Sequence, residues 1–523
     1  MNFRDLYSKI FPERALRRAL AKQRLERLGK IRSLDQVAGG RSRFSFNTTT
    51  NDMDSEISDN IEDLRSQIRN YELTNGTILG GFKRIVKNVV GKGIRLNAGI
   101  TADDPEDRMV PAINEKQALQ ANKLIEKYFK IWNKQADKRL MLNFYGSNGI
   151  QGIIEHALLR DNEVLIIGRN SNRPGRLIPY CLEVLEADRL QTPPGAIGDP
   201  YVKGGVRFDS EGVPKTYYVL KEHPGNTLNL KNTRDEDYEE IPAYNDNGTK
   251  KVMFLFNPIR PEQTRAISFA ASGLKDIQDA DRIMDAEKVA ALEDACVIGT
   301  VTTTSPSSWT ETSGKDDYDY IHEFAPNQIK YLYPGEKFEA HRPQRPHNNF
   351  EAFLQQVWSG PANAYDVPPE VFLQKWQGMN YSNARTVLLQ FYATCIERQE
   401  YLIDYFCNHV YENVFRWFIV KGFIPENSFR TREHDWLKHS WIAPGWQWVD
   451  PKKEADGKQV EIDTGLETIS GTILSKGKDP RETLEERAKE QKFIQELEKK
   501  YNVVMFPQRQ TATTPNEVTV DDE

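Results

Sequence analysis

The sequence predicts an α+β chain made of long helices and small β modules. Helical apolar spacing comes in long blocks, above all over 262–298 and from Ser382 to about Val420. Strand-like runs follow a helical block within 61–261 instead of alternating with it, which argues against a doubly wound sheet. Only 38% of the 523 residues are hydrophobic, while 28% are charged. One compact sphere of that length needs more apolar surface to bury. An elongated subunit with wetted or shared surface fits better.

The first segment, residues 1–60, is an arm. Within 1–45, twelve Lys and Arg face four acids, a net of +8 in a chain whose net charge is -6. Pro12 opens a helical pattern carrying Leu16, Leu20, Leu25 and Leu28. Residues 39–60 are polar and turn-rich, and read as a linker or extended arm. A mixed region, 61–261, follows. Residues 61–73 and 76–90 read as helices, the second ended by Gly91. Residues 113–135 and about 147–160 read as two more. Runs at 163–168, 177–186, 204–208, 215–221 and 251–256 read as strands, with Asp209 to Gly212 as a hairpin turn.

Residues 262–298 are expected to form one helix. Ile267, Leu274, Ile277 and Met284 fall on its apolar spacing. Asp276, Asp279, Asp281 and Asp285 spread around its axis at about 100° per residue. They read as a solvated face, not a metal cluster. Residues 299–345 are rich in Ser, Thr and Pro, with strands expected at 328–333 and 337–341 around Pro334-Gly335. A helix returns at about 348–364, within the segment 346–365. Residues 366–380 are a breaker region, and Ser382 then caps the longest apolar helix. Trp436, Trp441, Trp446 and Trp448 read as a rigid packing corner. This stretch closes a segment running over 381–463. Helices are expected over 464–506, the last opened by Asp479-Pro480, and 507–523 read as a disordered acidic tail.

The residues carry no catalytic constellation. A phosphate-binding loop is absent; Gly91-Lys92-Gly93 lacks the upstream glycine spacing and the hydroxyl. No nucleophile elbow is present. His434 and His439 are five apart, the wrong spacing for two imidazoles on one helical face. Cys181, Cys296, Cys395 and Cys407 form no Cys-x-x-Cys pair, and read as reduced buried thiols. No catalytic, cofactor-binding or metal-binding residue is expected. No apolar run approaches the ~20 residues that cross a bilayer, and the N-terminus lacks the apolar core of a secretion signal. The negative net charge argues against a surface that grips nucleic acid throughout.

The order of elements carries more information. Two helices flank a Pro-rich β module, and a broken loop then leads into a very long helix. Specific strings accompany that order: NVVGKGIRL (88–96), LEVLEADRLQ (182–191), GVRFDSEGVPKTYYV (205–219), NPIRPEQTRAI (257–267), NYSNARTVLLQF (380–391) and PGWQWVDPKKEA (444–455). RxxxRNYELTNG (65–76) joins them. With these strings the chain resembles the lambda-like family of tailed-bacteriophage portal proteins over about residues 10–500. The clip segment and the tail depart from the pattern.

The resemblance implies a portal-type subunit. Its wing would be 61–261, its stem 262–298 and 346–365, its clip 299–345, its tunnel loop 366–380, its spine and wing return 381–463, and its crown 464–506. It implies a ring of copies, normally a dodecamer, at one capsid vertex. Double-stranded DNA would be packaged through it by the terminase large subunit and later ejected. Major capsid or scaffold protein and a neck adaptor would be further partners. The protein would sit in the virion, after assembly in the host cytoplasm, with no membrane involved. Competing readings are another structural virion protein, such as a capsid or neck component, or a DNA-processing enzyme.

A channel must touch DNA without trapping it, because each Lys or Arg contact adds affinity through counterion release. The DNA-channel candidates are Gln374, Lys375, Trp376 and Gln377 on the loop, with Lys275, Arg282 and Lys288 on the mixed-sign helix. Contacts are expected with phosphates, not base edges. The oligomer-contact candidates are Arg14, Arg17 and Arg18 on the arm, with Ile267, Leu274, Ile277 and Met284.

Overall fold

The computed structural model describes residues 52–101, 114–226, 234–296, 299–303, 336–340, 350–424, 433–446 and 451–505. In chain order the elements begin with α1 (Met53–Thr74), α2 (Gly76–Val89), β1 (Arg95–Ala98), α3 (Glu115–Asn133) and α4 (Ile150–Asp161). Then come β2 (Glu163–Asn170), β3 (Tyr180–Leu185), β4 (Val202–Lys203), β5 (Val206–Phe208), β6 (Pro214–Leu220), β7 (Tyr238–Pro242) and β8 (Val252–Phe256). Next are α5 (Ala270–Cys296), β9 (Gly299–Thr303), β10 (Glu336–Ala340), α6 (Phe350–Ala364), α7 (Pro369–Leu373) and α8 (Tyr381–Leu402). A π turn, Ile403–Cys407, leads into α9 (Asn408–Val420). The last are α10 (Glu433–Trp436), β11 (His439–Ile442), α11 (Pro451–Asp463), α12 (Ile469–Ser475) and α13 (Pro480–Tyr501). The mixture of helix and sheet agrees with the α+β class. Among the described residues no helix is long and apolar enough to cross a membrane.

The chain divides into two compact units. The first holds residues up to 87, 153–169 and 182–409; the second holds 88–152, 170–181 and the chain from 410. In the first unit, two sheets share one apolar core. One runs β3-β2-β8, the other β4-β5-β6-β7. Leu165, Ile167 and Val252 of the first sheet meet Val206, Tyr217, Val219 and Ile241 of the second. The β5–β6 turn forms as the sequence predicts: Asp209 Oδ1 accepts from the Glu211 and Val213 N–H groups, and Gly212 takes φ 82°. That φ is a left-handed value glycine adopts without strain.

Beside this core lies a set of buried charges. Glu163 opens β2 with its side chain fully buried. It accepts from Arg65 on α1, from the Arg265 guanidinium at 2.9 Å, and from the Ala266 N–H. Arg265 also donates to the Leu190, Gly204 and Ala187 carbonyls at 2.9, 3.0 and 3.1 Å. Arg69 bridges Asp161 at 2.9 Å and Asp188 at 2.5 Å. Every charge has an opposite partner, which is the condition under which burial is tolerable. Losing one partner of such a group costs about 3–5 kcal/mol, because the other is left buried and uncompensated.

That charge set explains one departure from the sequence expectation. The 262–298 segment is not one helix; α5 starts at Ala270. Residues 263–268 are non-helical, and their polar groups are spent elsewhere. Thr264 donates to Asp54, and Arg265 and Ala266 bond Glu163. A second departure is at the arm. The turn-rich 39–60 stretch already contains helix, because Asp52 caps α1 by accepting from Ser55 N–H at 3.2 Å. A third is that the long helix expected over 382–420 is interrupted by the π turn. Within 299–345, β10 pairs antiparallel with β9. The strand expected at 328–333 and the tail at 507–523 lie outside the described residues. A helix also occupies 451–463, which the sequence reading passed over.

The second unit is built on an aromatic cluster. Phe129 and Trp132 of α3 lie 5.0 Å apart, and Phe129 touches Phe144, Tyr411 and Trp441 at 5.8, 6.2 and 6.1 Å. Trp132 Nε1 donates to the Tyr180 carbonyl at 2.8 Å. β1 pairs antiparallel with β11, carrying Trp441 into the cluster. Three of the four corner tryptophans are packing residues: Trp436 is buried, Trp441 joins the cluster and Trp446 donates to Asn88 at 3.1 Å, while Trp448 lies outside the described residues. His439 packs on Tyr411 at 4.2 Å, and burial lowers its pKa, while His434 is exposed. The two histidines do not act as a pair. Cys181, Cys395 and Cys407 are buried free thiols, and burial, then the nearby Glu155 carboxylate, pushes Cys395 up to about 12.

Asp188 gives the charge set a pH signature. Burial alone would raise its carboxyl, but Arg65 and Arg69 outweigh burial and hold it below its ordinary 3.8. A lowered acid adds stability above its unfolded value and loses it as pH falls through the folded value. Asp188→Asn should therefore lower the urea midpoint at pH 7. The gap to wild type should narrow as pH falls below about 3.8. A gap equally wide at pH 7 and in strong acid would show that the carboxylate contributes nothing through its charge.

Candidate functional site

The breaker region 366–380 is a short, firmly seated loop of the first unit. Pro369 fixes the first turn of α7, where the missing N–H costs nothing. Gln374 ends it in the left-handed region, φ 56° and ψ 39°. The Lys375 N–H then reaches back to the Glu370 carbonyl at 3.0 Å. Gly378, at φ 75°, turns the chain toward α8, whose cap is Asn380, not Ser382.

The apolar side of the loop is buried in its own subunit. Phe372 is 1% exposed. It stacks on Tyr365, with centroids 6.5 Å apart, and Tyr365 meets Phe82 of α2 edge-on at 5.4 Å. The ring sits where residue 81 has no side chain: a Cβ on Gly81 would lie 2.4 Å from it. Arg84 of α2 donates to the Phe372 carbonyl. Val371 is also buried, so neither residue is available to a neighbour. The polar side points outward. Gln374 and Gln377 are exposed, and Trp376 is 38% exposed. Lys375 is half-exposed, and its Nζ is 2.9 Å from Glu351 on α6. The four loop candidates thus share one exposed tip, whose single cation is paired.

α5 and α6 form an antiparallel pair. Gly273 lies under Pro361, with a Cβ there 2.9 Å from Pro361 Cα, and Gly360 lies under Asp276. Side-chain-free positions on both helices let the backbones approach closely. This packing corrects the oligomer-contact set. Ile267, Leu274 and Ile277 are 5, 0 and 1% exposed, so their apolar surface is already covered within the subunit. Met284 keeps part of its surface, and Val289 and Leu292 beyond it are 55 and 67% exposed. Leu292 falls on the helix's apolar spacing and Val289 does not stand out in it; burial is what separates both from the inner set. Lys275 is half-buried; Arg282 and Lys288 are exposed, Lys288 pairing with Asp285 at 3.0 Å. Arg14, Arg17 and Arg18 lie outside the described residues.

The α5 aspartates disperse, as helix geometry requires. Asp281 accepts from Asn75 at 2.7 Å, while Asp276 sits over Gly360. Burial raises the pKa of both, reinforced by Asp279 at Asp276. One trio among the described residues has metal-ligand chemistry: Glu186, Asp188 and His223, with ligand atoms within 4.8 Å. Its carboxylates are already matched. Glu186 pairs with Arg160 at 3.0 Å and His223 at 2.9 Å, and Asp188 pairs with Arg69. Guanidinium groups stand where a cation's charge would be needed.

The family model of the "Phage portal protein, lambda family" matches residues 39–399, spanning the charge set, the helix pair and the loop. The chain belongs to that family. A "Probable portal protein" of Halomonas phage phiHAP-1 is 26% identical over 445 residues, covering 82% of this chain and 80% of the relative. Portal protein B of Escherichia phage lambda is 20% identical over 377 residues, covering 65% and 68%. Among solved structures, a chain of "Neck of empty GTA particle computed with C6 symmetry" is similar over 80% of this chain and 94% of its own, at 15% identity and TM-score 0.43. The lambda-family membership covers the loop and both helices of the pair, so these are the surfaces on which function is read.

The seating of the loop is testable. Gly81→Ala places a methyl group against the Phe372 ring and should cost about 1–3 kcal/mol of stability, as overpacking does. Adding Phe372→Leu should recover part of that loss in thermal denaturation. Strictly additive losses would show that the two residues do not meet.

Proposed function

We propose that this chain is the subunit of a ring-shaped portal at one vertex of a phage capsid, through which double-stranded DNA is packaged and later ejected. The family match over the helix pair and loop carries the reading. The ring is a homo-oligomer, normally of twelve copies. Pumping belongs to a separate motor, the terminase large subunit. Capsid or scaffold protein surrounds the ring, and a neck adaptor closes its outer end. The protein is a virion component that assembles in the host cytoplasm.

The loop tip is the DNA-facing surface in this reading. Gln374, Trp376 and Gln377 offer neutral contact, and Glu351 cancels much of the Lys375 charge. A tip of this kind touches phosphates while releasing few counterions, so it grips weakly and lets DNA pass. Arg282 and Lys288 on α5 stand among acids and give the same balance. Subunit contacts fall on Met284, Val289 and Leu292, the exposed apolar stretch of α5, and on Arg14, Arg17 and Arg18 of the basic arm.

Negative-stain microscopy of the full chain, with scaffold protein supplied if needed, should show rings with a central hole at least as wide as a duplex. Closed discs or open filaments would defeat the reading. In a packaging reaction, Lys375→Ala with Trp376→Ala should change DNA velocity or retention. Wild-type values for both would remove the loop tip from the DNA path.

A further inference from the structure

Helix α3 of the second unit carries an unusual charge pattern. Its buried face is formed by Ala118, Ala121, Asn122, Ile125, Phe129 and Trp132. Its outer face carries Lys116, Lys123, Lys127 and Lys130, and Lys134 continues the row at the C-cap. At 3.6 residues per turn, the five lysines fall within an arc of about 60° and span about 27 Å of axis. All five are exposed.

Other charged helices of the chain mix their signs. Lys489 lies 3.8 Å from Glu485 on α13, Lys458 pairs with Glu461 at 2.5 Å on α11, and Lys288 pairs with Asp285 on α5. Among the described residues, none of the five α3 lysines makes an ion pair. Lys127 lies over the Tyr128 ring at 5.9 Å. The helix has only two acids. Glu115 sits at its N-terminus, and Glu126 is turned inward to accept the Ala98 N–H at 3.1 Å. Lys123 with Lys127, Lys127 with Lys130, and Lys130 with Lys134 are like-charge neighbours at helical spacing, each slightly destabilising in isolation. An anionic partner along the stripe turns that repulsion into attraction.

We propose that the α3 lysine stripe is a second DNA-binding surface, which takes the phosphate backbone of duplex DNA without reading its sequence. The choice of DNA as the polyanion rests on the portal reading. The chemistry of the stripe favours it over an acidic protein. Protein interfaces are centred on aromatic and apolar anchors and are depleted in lysine. Here the cations are point charges in a straight row, which suits an evenly charged rod. At 3.4 Å per base step, 27 Å faces about eight base pairs of one strand. This site is separate from the 366–380 loop.

The test compares the full-length wild type with a variant changing Lys116, Lys123, Lys127, Lys130 and Lys134 to Gln. Glutamine keeps nearly the helix propensity of lysine, so circular dichroism should be unchanged. The readout is fluorescence anisotropy with a labelled random-sequence duplex of about 30 base pairs, titrated at about 50–200 mM salt. The wild type should bind with a steep log–log salt dependence. The variant's slope should be shallower by about 3–4.5, near 0.9 for each lost contact, and its low-salt affinity at least ~100-fold weaker. Lys375→Ala should change the slope by less than about one. Three results would overturn the proposal: no duplex binding by wild type, a variant slope within one of wild type, or poly-glutamate competing as well as duplex of equal charge. The last would assign the stripe to an acidic protein. Microscopy of the same samples separates the two readings. Rings with an unchanged slope sink the stripe alone, whereas absence of rings even with scaffold bears on the portal reading.

Discussion

The first unit depends on the pairing of Glu163 inside the protein. A carboxylate out of water needs a well-placed positive partner and hydrogen bonds to its remaining lone pairs. Arg65, Arg265 and the Ala266 N–H supply them, from α1 and from the segment entering α5. One side chain at the start of β2 thus fixes a helix, a sheet and the approach to the helix pair. Arg265 extends the constraint through three backbone carbonyls, satisfying loop groups that would otherwise be buried without partners. The cost is regularity. Residues 263–268 give up helix so that Arg265 can reach inward.

The loop and the helix pair inherit this order. Tyr365, at the end of α6, donates to the Leu159 carbonyl on α4 at 3.0 Å and stacks on Phe372 of the loop. Gly81 leaves room for that ring. The tip therefore presents its glutamines, its indole and its paired lysine from a base with little freedom to shift. Under the proposed function, a surface that brushes a moving polymer would gain from this arrangement. Weak attraction can come from chemistry, while position comes from packing several residues away.

Much of this was legible in the sequence, and the failures have physical causes. Apolar patterning located α3, α4, α6, β2, β6 and β8 closely, because the helices bury an apolar stripe and the strands are short apolar runs buried on both faces over much of their length. The Asp209 to Gly212 turn and the Asp479-Pro480 start were readable from turn and cap chemistry. The loop stood out through its prolines and glycine. The start of α5 was missed because Arg265 is recruited by Glu163, a hundred residues earlier, and no local pattern reports that. The π turn was missed because it changes the phase of a helix without changing its composition. Ile267, Leu274 and Ile277 were legible as an apolar stripe. Whether that stripe faces its own subunit or another is decided by the close approach at Gly273 and Gly360, which spacing does not encode. The reading of α3 rested on its apolar spacing and passed over its lysines, whose lack of ion-pair partners among the described residues shows only with the side chains in place.

The α5–α6 pair also has a mechanical meaning. Its contacts are concentrated at one end, where Gly273 faces Pro361 and Trp358 and Ala362 are buried. Toward the other end Val289, Leu292, Glu351 and Phe353 are exposed. Among the described residues the pair is packed closely at its root, while toward the other end Glu351 meets Lys375 of the loop and the apolar side chains around it stay exposed. If copies pack side by side, covering these exposed apolar ends against one another would brace every pair at once, so a stiff tip would be a property of the set and not of any one chain.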